Sequence, residues 1–404
     1  MLKQKNLSIL GSGGHGWESI KHVIDSYDGL VTIYMLPVDW GGSTGTIGRL
    51  LKLRNGELNK LLHNDLNYPI LPFGDLNKFI ATYVEQACGN HVLIEYKEKV
   101  INCLEFRSDS YLALLRVFTK IICCLKLDVV IVEKFEIYLK TYLEYYLEFK
   151  DYLVHSKTTS LGNLWHSFLF YEFGSIKGLV NFYQKNNMLP QNFSIEFTSE
   201  NREILKGTYF NEHNHSFELN GEDLIDASDY PIDPTSFELL TIEKNQPKVN
   251  SQFLENLKKS STIIIPNGSL ANWIPLIKIN NITKILREKA TNGQLIWVMN
   301  LFHSKNEYPF DVYYHYISTL EITPIILGPL SIPTEYYVSF LKEYQKEGKT
   351  LNYNLNTQAH DGKNLKVGFN NCLEVISHLE DERIEGIKYR KECIKNIIIQ
   401  HLSL

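Results

Sequence analysis

The chain has 404 residues, 44% of them hydrophobic and 22% charged, enough to build one large packed domain or two ordinary ones. Its formal net charge of -5 argues against a protein that wraps nucleic acid, which needs a basic face to displace counterions. That charge is compatible with a small anionic ligand, which a few backbone N–H groups suffice to hold.

No stretch approaches the ~20 consecutive apolar residues of a membrane span. Lys3 and Lys5 precede only the short apolar run Leu7 to Leu10, so no secretory leader is expected. The six cysteines (Cys88, Cys103, Cys123, Cys124, Cys372 and Cys393) form no Cys-x-x-Cys pair. Reduced thiols and a cytoplasmic location are the expectation, without zinc or a disulfide framework.

In chain order, Leu7 to Leu10 reads as a strand entering glycines. Trp17 to Ser26 carries Trp17, Ile20, Val23 and Ile24 at helical spacing, and Leu30 to Leu36 reads as a second buried strand. This βαβ opening implies a parallel sheet. Residues 80–153 are mostly helical in pattern. Within them Phe135, Tyr138, Leu139, Tyr142, Tyr146, Phe149 and Leu153 form a tyrosine-rich helical stripe, read as packing, with a partner surface or aromatic ligand wall as the alternative. The alternation of Phe193, Ile195 and Phe197 predicts an antiparallel ribbon over 192–219. Thr262 to Ile265, Gln294 to Met299 and Pro324 to Leu327 read as strands, Leu270 to Glu288 as a helix, and Asp381 to Gln400 as an amphipathic helix. The predicted class is α/β: three layers around a mainly parallel central sheet, with a helical insert at 85–153 and a small antiparallel ribbon.

The strongest chemical signal is Gly11–Ser12–Gly13–Gly14–His15–Gly16, between a strand and a helix. It fits Gly-x-Gly-x-x-Gly: glycines allow close approach of a phosphate, and the helix N-terminus supplies free N–H groups. A tight turn without ligand is the alternative. His15 is read either as a polar rim residue or as a donor to phosphate. Past the second strand stands Asp39–Trp40–Gly41–Gly42–Ser43–Thr44–Gly45, where Asp39 could hold ribose hydroxyls, or the run could be a solvated Asx-type turn. Further candidates are Pro72–Phe73–Gly74–Asp75, where Asp75 also fits a helix N-cap, and Gly162–Asn163 opening a helix. Asn267–Gly268–Ser269 and Asn300 each directly follow a strand.

Six short segments, taken in this order, resemble the CofD/YvcK family: Gly13 to Gly16, Asp39 to Gly45, Pro72 to Asp75, Gly162–Asn163, Asn267 to Ser269, and Asn300. The resemblance implies a Rossmann-like core spanning 1–404 as one domain, with 310–404 an extension packed on it. It further implies a ligand that is a nucleotide diphosphate derivative, either a UDP-sugar in the YvcK type or a GDP-linked donor in the CofD type. The Gly41 to Gly45 run is more similar to the YvcK type, whose members resemble regulators of carbon flow and cell-envelope precursor supply. CofD-type members are magnesium-dependent transferases; the carried-over metal residues are Asp39 and Asp75, with Asp39 the catalytic one. The ligand-binding set carried over is Gly11, Ser12, Gly13, Gly14, His15, Gly16, Gly41, Gly42, Ser43, Thr44, Asp75, Asn163, Asn267, Gly268, Ser269 and Asn300. This chain departs from the pattern where Trp40 replaces the second of two acids, His15 a threonine, and Asn77–Lys78 an Arg-Asn pair.

Three functions follow. One is a nucleotide-sugar-binding regulator without turnover, one a CofD-like transferase, and one, from the glycine motif alone, an NAD(P)-dependent oxidoreductase with Asp39 on the ribose. The expected partner is a small nucleotide ligand, with neither nucleic acid nor membrane. The tyrosine-rich insert is open to two roles, closing the cleft or joining two copies in a homodimer.

Overall fold

A computed structural model describes residues 6–11, 14–36, 47, 76–77, 79–81, 83–84, 100–125, 127–149, 158–199, 203–241, 245–268, 273–300, 302–329, 350–351, 366–369, 373–377, 384–389, 396 and 398. Its centre is a seven-stranded sheet. The strands are β1 (Asn6–Leu10), β2 (Leu30–Met35), β3 (Phe193–Phe197), β7 (Thr262–Ile265), β8 (Leu295–Val298), β10 (Ile325–Pro329) and β12 (Lys366–Phe369). They lie in the order β12-β10-β8-β7-β1-β2-β3, and every neighbouring pair is parallel. The chain first builds outward from β1 through β2 to β3. It then returns to the other side of β1 and builds outward again through β7, β8, β10 and β12. This is the doubly wound order of a Rossmann-type sheet.

The strands form because they are short, β-branched and apolar: Thr-Ile-Ile-Ile in β7 and Leu-Ile-Trp-Val in β8 are buried at every residue. Successive side chains point to opposite faces. Leu7, Ile9, Val31, Ile33, Ile264, Ile296 and Val298 join one core cluster, together with Ile20, Val23 and Ile24 of α1 (Gly14–Ser26). Leu10, Tyr34, Ile263, Ile265, Leu295 and Trp297 join the other. That second face is covered by α8 (Ser251–Lys259), α9 (Asn280–Thr291) and α10 (Phe310–Thr319), through Phe253, Leu286, Tyr313 and their neighbours. Two cores on the two faces of one sheet make the expected three layers.

The first face also carries the helical insert: α2 (Val100–Glu105), α3 (Tyr111–Leu125) and α4 (Val129–Phe149), followed by α5 (Leu161–Glu172) and α6 (Ile176–Lys185). The tyrosine stripe of α4 is packing. Phe135 meets Trp165 edge-on at 5.1 Å, Tyr138 donates to Ser167 Oγ at 2.9 Å, and Tyr142 is paired with Thr159 Oγ1 at 2.6 Å. Tyrosine suits such positions because the ring buries area while the hydroxyl finds a partner.

Four readings of the sequence are corrected. Phe193 to Phe197 is not part of a ribbon but β3, paired in parallel with β2. As an edge strand it is half covered, and alternation is what half-burial leaves in the sequence. The antiparallel ribbon begins only at β4 (Glu203–Phe210), which lies between β5 (Ser216–Asn220) and β6 (Glu238–Thr241). The helix expected over 270–288 is broken: a 3-10 turn, Ile274–Lys278, contains Pro275, which has no N–H to give, and α9 starts afresh at Asn280. In the tail, Ile384–Tyr389 is a strand, β14, paired antiparallel with β13 (Leu373–Ser377). The amphipathic helix expected over 381–400 is thus not formed at 384–389, where the partner strand decides. Residues 310–404 contribute β10 and β12 to the central sheet itself.

Candidate functional site

In an open parallel sheet, ligands sit outside the carboxyl ends of the strands where the strand order reverses. Here that point lies between β1 and β7, where the register Ile9↔Ile264 puts Gly11 and Pro266 level on adjacent strands. Gly11 turns with φ of +88°, a conformation that needs glycine, and its N–H donates to Tyr34 O at 3.2 Å. Helix α1 begins at Gly14, so Gly14 and Gly16 belong to its first turn rather than to a loop, with three residues between it and the end of β1.

On the other side of the reversal the register Ile265↔Trp297 brings Gly268 and Asn300 to one height. The Asn300 side chain spans the gap: Gly268 N–H donates to Oδ1 at 2.9 Å, and Nδ2 donates to Gly268 O at 2.5 Å. Asn267 Oδ1 is buried and has no hydrogen-bond partner.

A second group lies on the insert side. Ser160 caps α5 by accepting from Asn163 N–H at 3.3 Å, and the next-door Gly162 is overlaid by the Asn77 carboxamide. A Cβ at 162 would stand 1.9 Å from Asn77 Oδ1 and 2.4 Å from its Cγ. Glycine is therefore required by close approach, and the segment after Asp75 is brought onto Gly162–Asn163. Both Asn77 and Asn163 are almost wholly buried, at 2% and 3% exposure, with their Oδ1 atoms unpartnered. Because Asn77 is buried and a Cβ at 162 would displace its carboxamide, Gly162→Ala is expected to destabilise the protein by about 1–3 kcal/mol, read as a lowered urea midpoint. An unchanged midpoint would show that Asn77 moves aside freely.

One further group was not visible in the sequence. Glu203, the first residue of β4, is 1% exposed; burial raises its carboxyl to about 7, against a weaker opposing hydrogen bond from Ser199. Ser199 itself follows the carboxyl end of β3 by two residues, next to Thr198, whose N–H donates to Met35 O at 3.2 Å. Glu203 thus belongs to the same end of the sheet as the reversal. In the sequence it is an ordinary polar residue at the start of an alternating strand.

Of the expected site residues, the structure gathers Gly11, Gly14, Gly16, Asn267, Gly268 and Asn300 at the reversal, and places Asn163 with Asn77 at the start of α5. His15 is described only as backbone in α1. Ser12, Gly13, Asp39, Gly41, Gly42, Ser43, Thr44, Asp75 and Ser269 lie outside the described residues, so the expected metal pair Asp39 and Asp75 does too. At the opposite, amino end of the strands is an open cleft of about 580 Å³, lined by Ile24, Asp25, Tyr83, Met188 and Asn192 among others. Its polar groups are largely engaged with the protein: Asp25 with Lys21 at 2.6 Å, and Asn192 Nδ2 with the carbonyls of Tyr27 and Gly29. The reversal is therefore the better candidate. No helix among the described residues is long and apolar enough to cross a membrane.

No family model and no curated protein matches the sequence. Solved structures do match. Protein BH3568 from Bacillus halodurans superposes with a TM-score of 0.60 at 17% identity, over 98% of this chain and 100% of that one. A second structure of bh3568, described as a protein member of the upf0052 family, gives a TM-score of 0.59 at 15% identity, over 98% and 99%. The fold is similar to that of a UPF0052 protein. The likeness spans both halves of the doubly wound sheet and the insert, and at this identity it establishes the α/β architecture.

Proposed function

We propose that this chain is a protein of the CofD/YvcK type, the family to which UPF0052 corresponds, and that it binds a nucleotide diphosphate derivative at the carboxyl ends of β1, β7 and β8. The observation that carries the reading is the reversal of strand order between β1 and β7, flanked by the glycine turn at Gly11 and by the Asn267–Gly268 turn. Phosphates would lie on the N–H groups opening α1, and the rest of the ligand beside Asn267. The described donors there are backbone amides and carboxamides, which suit phosphate, hydroxyl and N–H groups. The carboxylates that magnesium prefers would have to come from Asp39 and Asp75, and no step is derived through a metal. Trp40 in place of a second acid favours binding without turnover, as in a regulator that senses a UDP-sugar. The second reading is a magnesium-dependent transferase acting on a GDP-linked donor, with Asp39 and Asp75 holding the ion.

The test is thermal unfolding with UDP-N-acetylglucosamine, UDP, GDP, GTP, NAD and NADP, each with and without magnesium. A ligand at 100 times its dissociation constant adds about 2.7 kcal/mol of stability. Metal-independent stabilisation by the UDP-sugar is the expected result. Stabilisation by a guanosine nucleotide only with magnesium would transfer the case to the second reading. A response to NAD or NADP alone would overturn both.

A further inference from the structure

We propose that the cleft at the amino ends of β2 and β3 is a second site, which takes the primary ammonium group of an aliphatic amine. It lies at the opposite end of the sheet from the nucleotide crevice and does not depend on that reading.

The polarity of this end follows from the topology. A helix that leads into a parallel strand ends where the strand starts. Helices α1 and α6 therefore bring their C-termini, the negative ends of their dipoles, to the starts of β2 and β3. Helix α1 has no basic residue in its last turn and carries Asp25 there instead. Lys185, in the last turn of α6, is not among the residues lining the cleft. Such a place favours a cation and disfavours an anion.

The hydrogen bonds leave acceptors. Asn192 gives both hydrogens of its carboxamide nitrogen to the carbonyls of Tyr27 and Gly29, at 2.9 and 2.7 Å. Gln191 gives Nε2 to Gln184 O at 3.0 Å. What these two side chains still offer the cleft is carboxamide oxygen. Asp25 is held by Lys21 through Oδ2 at 2.6 Å, yet its side chain is 29% exposed, and a carboxylate accepts several bonds. Lys21 is itself buried, 4.2 Å above the ring of Tyr83, so it is not offered to a ligand. Tyr83 forms part of the cleft wall and is buried. Burial first, and the Asp25 charge second, raise its pKa and keep the phenol neutral, but its hydroxyl has no hydrogen-bond partner of proper geometry. Buried hydroxyls are nearly always paired. A donor bound between Asp25 and Tyr83 would supply the missing bond.

A primary ammonium has three donors and no acceptor, the complement of this set. One carboxylate is too few for a hard divalent cation, and no group of three or more His, Cys, Asp or Glu that could hold a metal occurs among the described residues. Met188, Leu189 and Pro190 give the same cleft an apolar wall for an alkyl stem, and its volume of about 580 Å³ admits a chain of several carbons.

The experiment is calorimetric titration of the full chain with 1,5-diaminopentane, with the amide of Nα-acetyl-lysine, and with 1-pentanol as an uncharged control. The first two separate a free amine from a lysine side chain as the source of the ammonium. The wild type is expected to bind at least one amine and not the alcohol. Asp25→Asn should bind it at least about tenfold more weakly, the effect of losing a hydrogen bond to a charged group. Gln191→Glu adds a carboxylate at the rim and should bind up to about fivefold more tightly, as an exposed ion pair allows. It also keeps the test open should Asp25→Asn, which releases Lys21, fail to fold. Tyr83→Phe should bind the amine more weakly and, without ligand, melt no lower than the wild type. Failure of the wild type to bind either amine would overturn the site. So would equal binding of the alcohol, or amine affinities that neither Asp25→Asn nor Gln191→Glu changes, since the amine would then sit elsewhere.

Discussion

Lowering the pH from 7 to 3 is expected to cost the fold about 4 kcal/mol through His166 alone. This histidine in α5 is fully buried, and burial lowers its pKa from 6.5 to about 3, more than a contact with the Gly162 carbonyl raises it. The hydrogen bonds explain why it stays neutral. The Trp165 indole N–H can only donate, and it donates to Tyr183 Oη at 2.9 Å. The Tyr183 hydroxyl hydrogen is then free to point at His166 Nε2, 2.9 Å away, an arrangement that suits a neutral ring. Below pH 6.5 the unfolded chain takes up a proton that the folded chain refuses until about 3, so stability falls across that window and is intact above it. Urea denaturation between pH 7.5 and 3.5 should show this slope in the difference between the wild type and a variant without the imidazole. In His166→Gln, which has a carboxamide oxygen to accept from Tyr183, the difference should vanish toward low pH. Parallel curves for the two proteins would mean that His166 is charged in the folded state.

The opposite sign is expected of Glu203. Its carboxyl is raised from 4.5 to about 7, so between these values the folded protein holds a proton that the unfolded chain has released. Stability is full below pH 4.5, falls as the pH rises, and settles above 7 at a level lower by about 3 kcal/mol. Glu203→Gln keeps the shape without the charge. It should match the wild type at pH 4 and exceed it at pH 8 by an amount of that order in urea denaturation. A variant less stable than the wild type at pH 8 would mean that the ionised carboxylate is the form the fold uses. Between pH 4.5 and 6.5 the two residues act on one proton each with opposite slopes, so the wild type should be nearly flat there. The single variants separate what the native protein hides. Glu203 also stands by the carboxyl end of β3, at the same end of the sheet as the reversal.

The βαβ opening, the glycine turn and the short β-branched strands were legible because their signals are local. A positive φ needs glycine at residue 11, and strands buried on both faces need uninterrupted apolar residues as at 262–265. The tyrosine stripe of α4 was likewise legible as packing, since helical spacing already says which side chains share a face. Local signals failed where a partner decides. The alternation at 193–197 fits an antiparallel ribbon and an edge of a parallel sheet equally well, and only pairing with β2 chooses. The amphipathic helix expected over 381–400 gives way to a strand at 384–389 because Leu373–Ser377 lies alongside.

The same division holds for the candidate site. By itself the sequence determined that turns rich in glycine and asparagine follow the strands at Gly11 and Ile265, because these residues adopt the tight turns that end buried strands. Tertiary structure alone decided that β1 and β7 are neighbours, that Asn300 holds Gly268, that Asn77 lies on Gly162, and that Glu203 is buried. The contacts among them join residues 32 to 255 positions apart. Nothing in the spacing of residues so far apart encodes their contact; the burial of two faces of one sheet does.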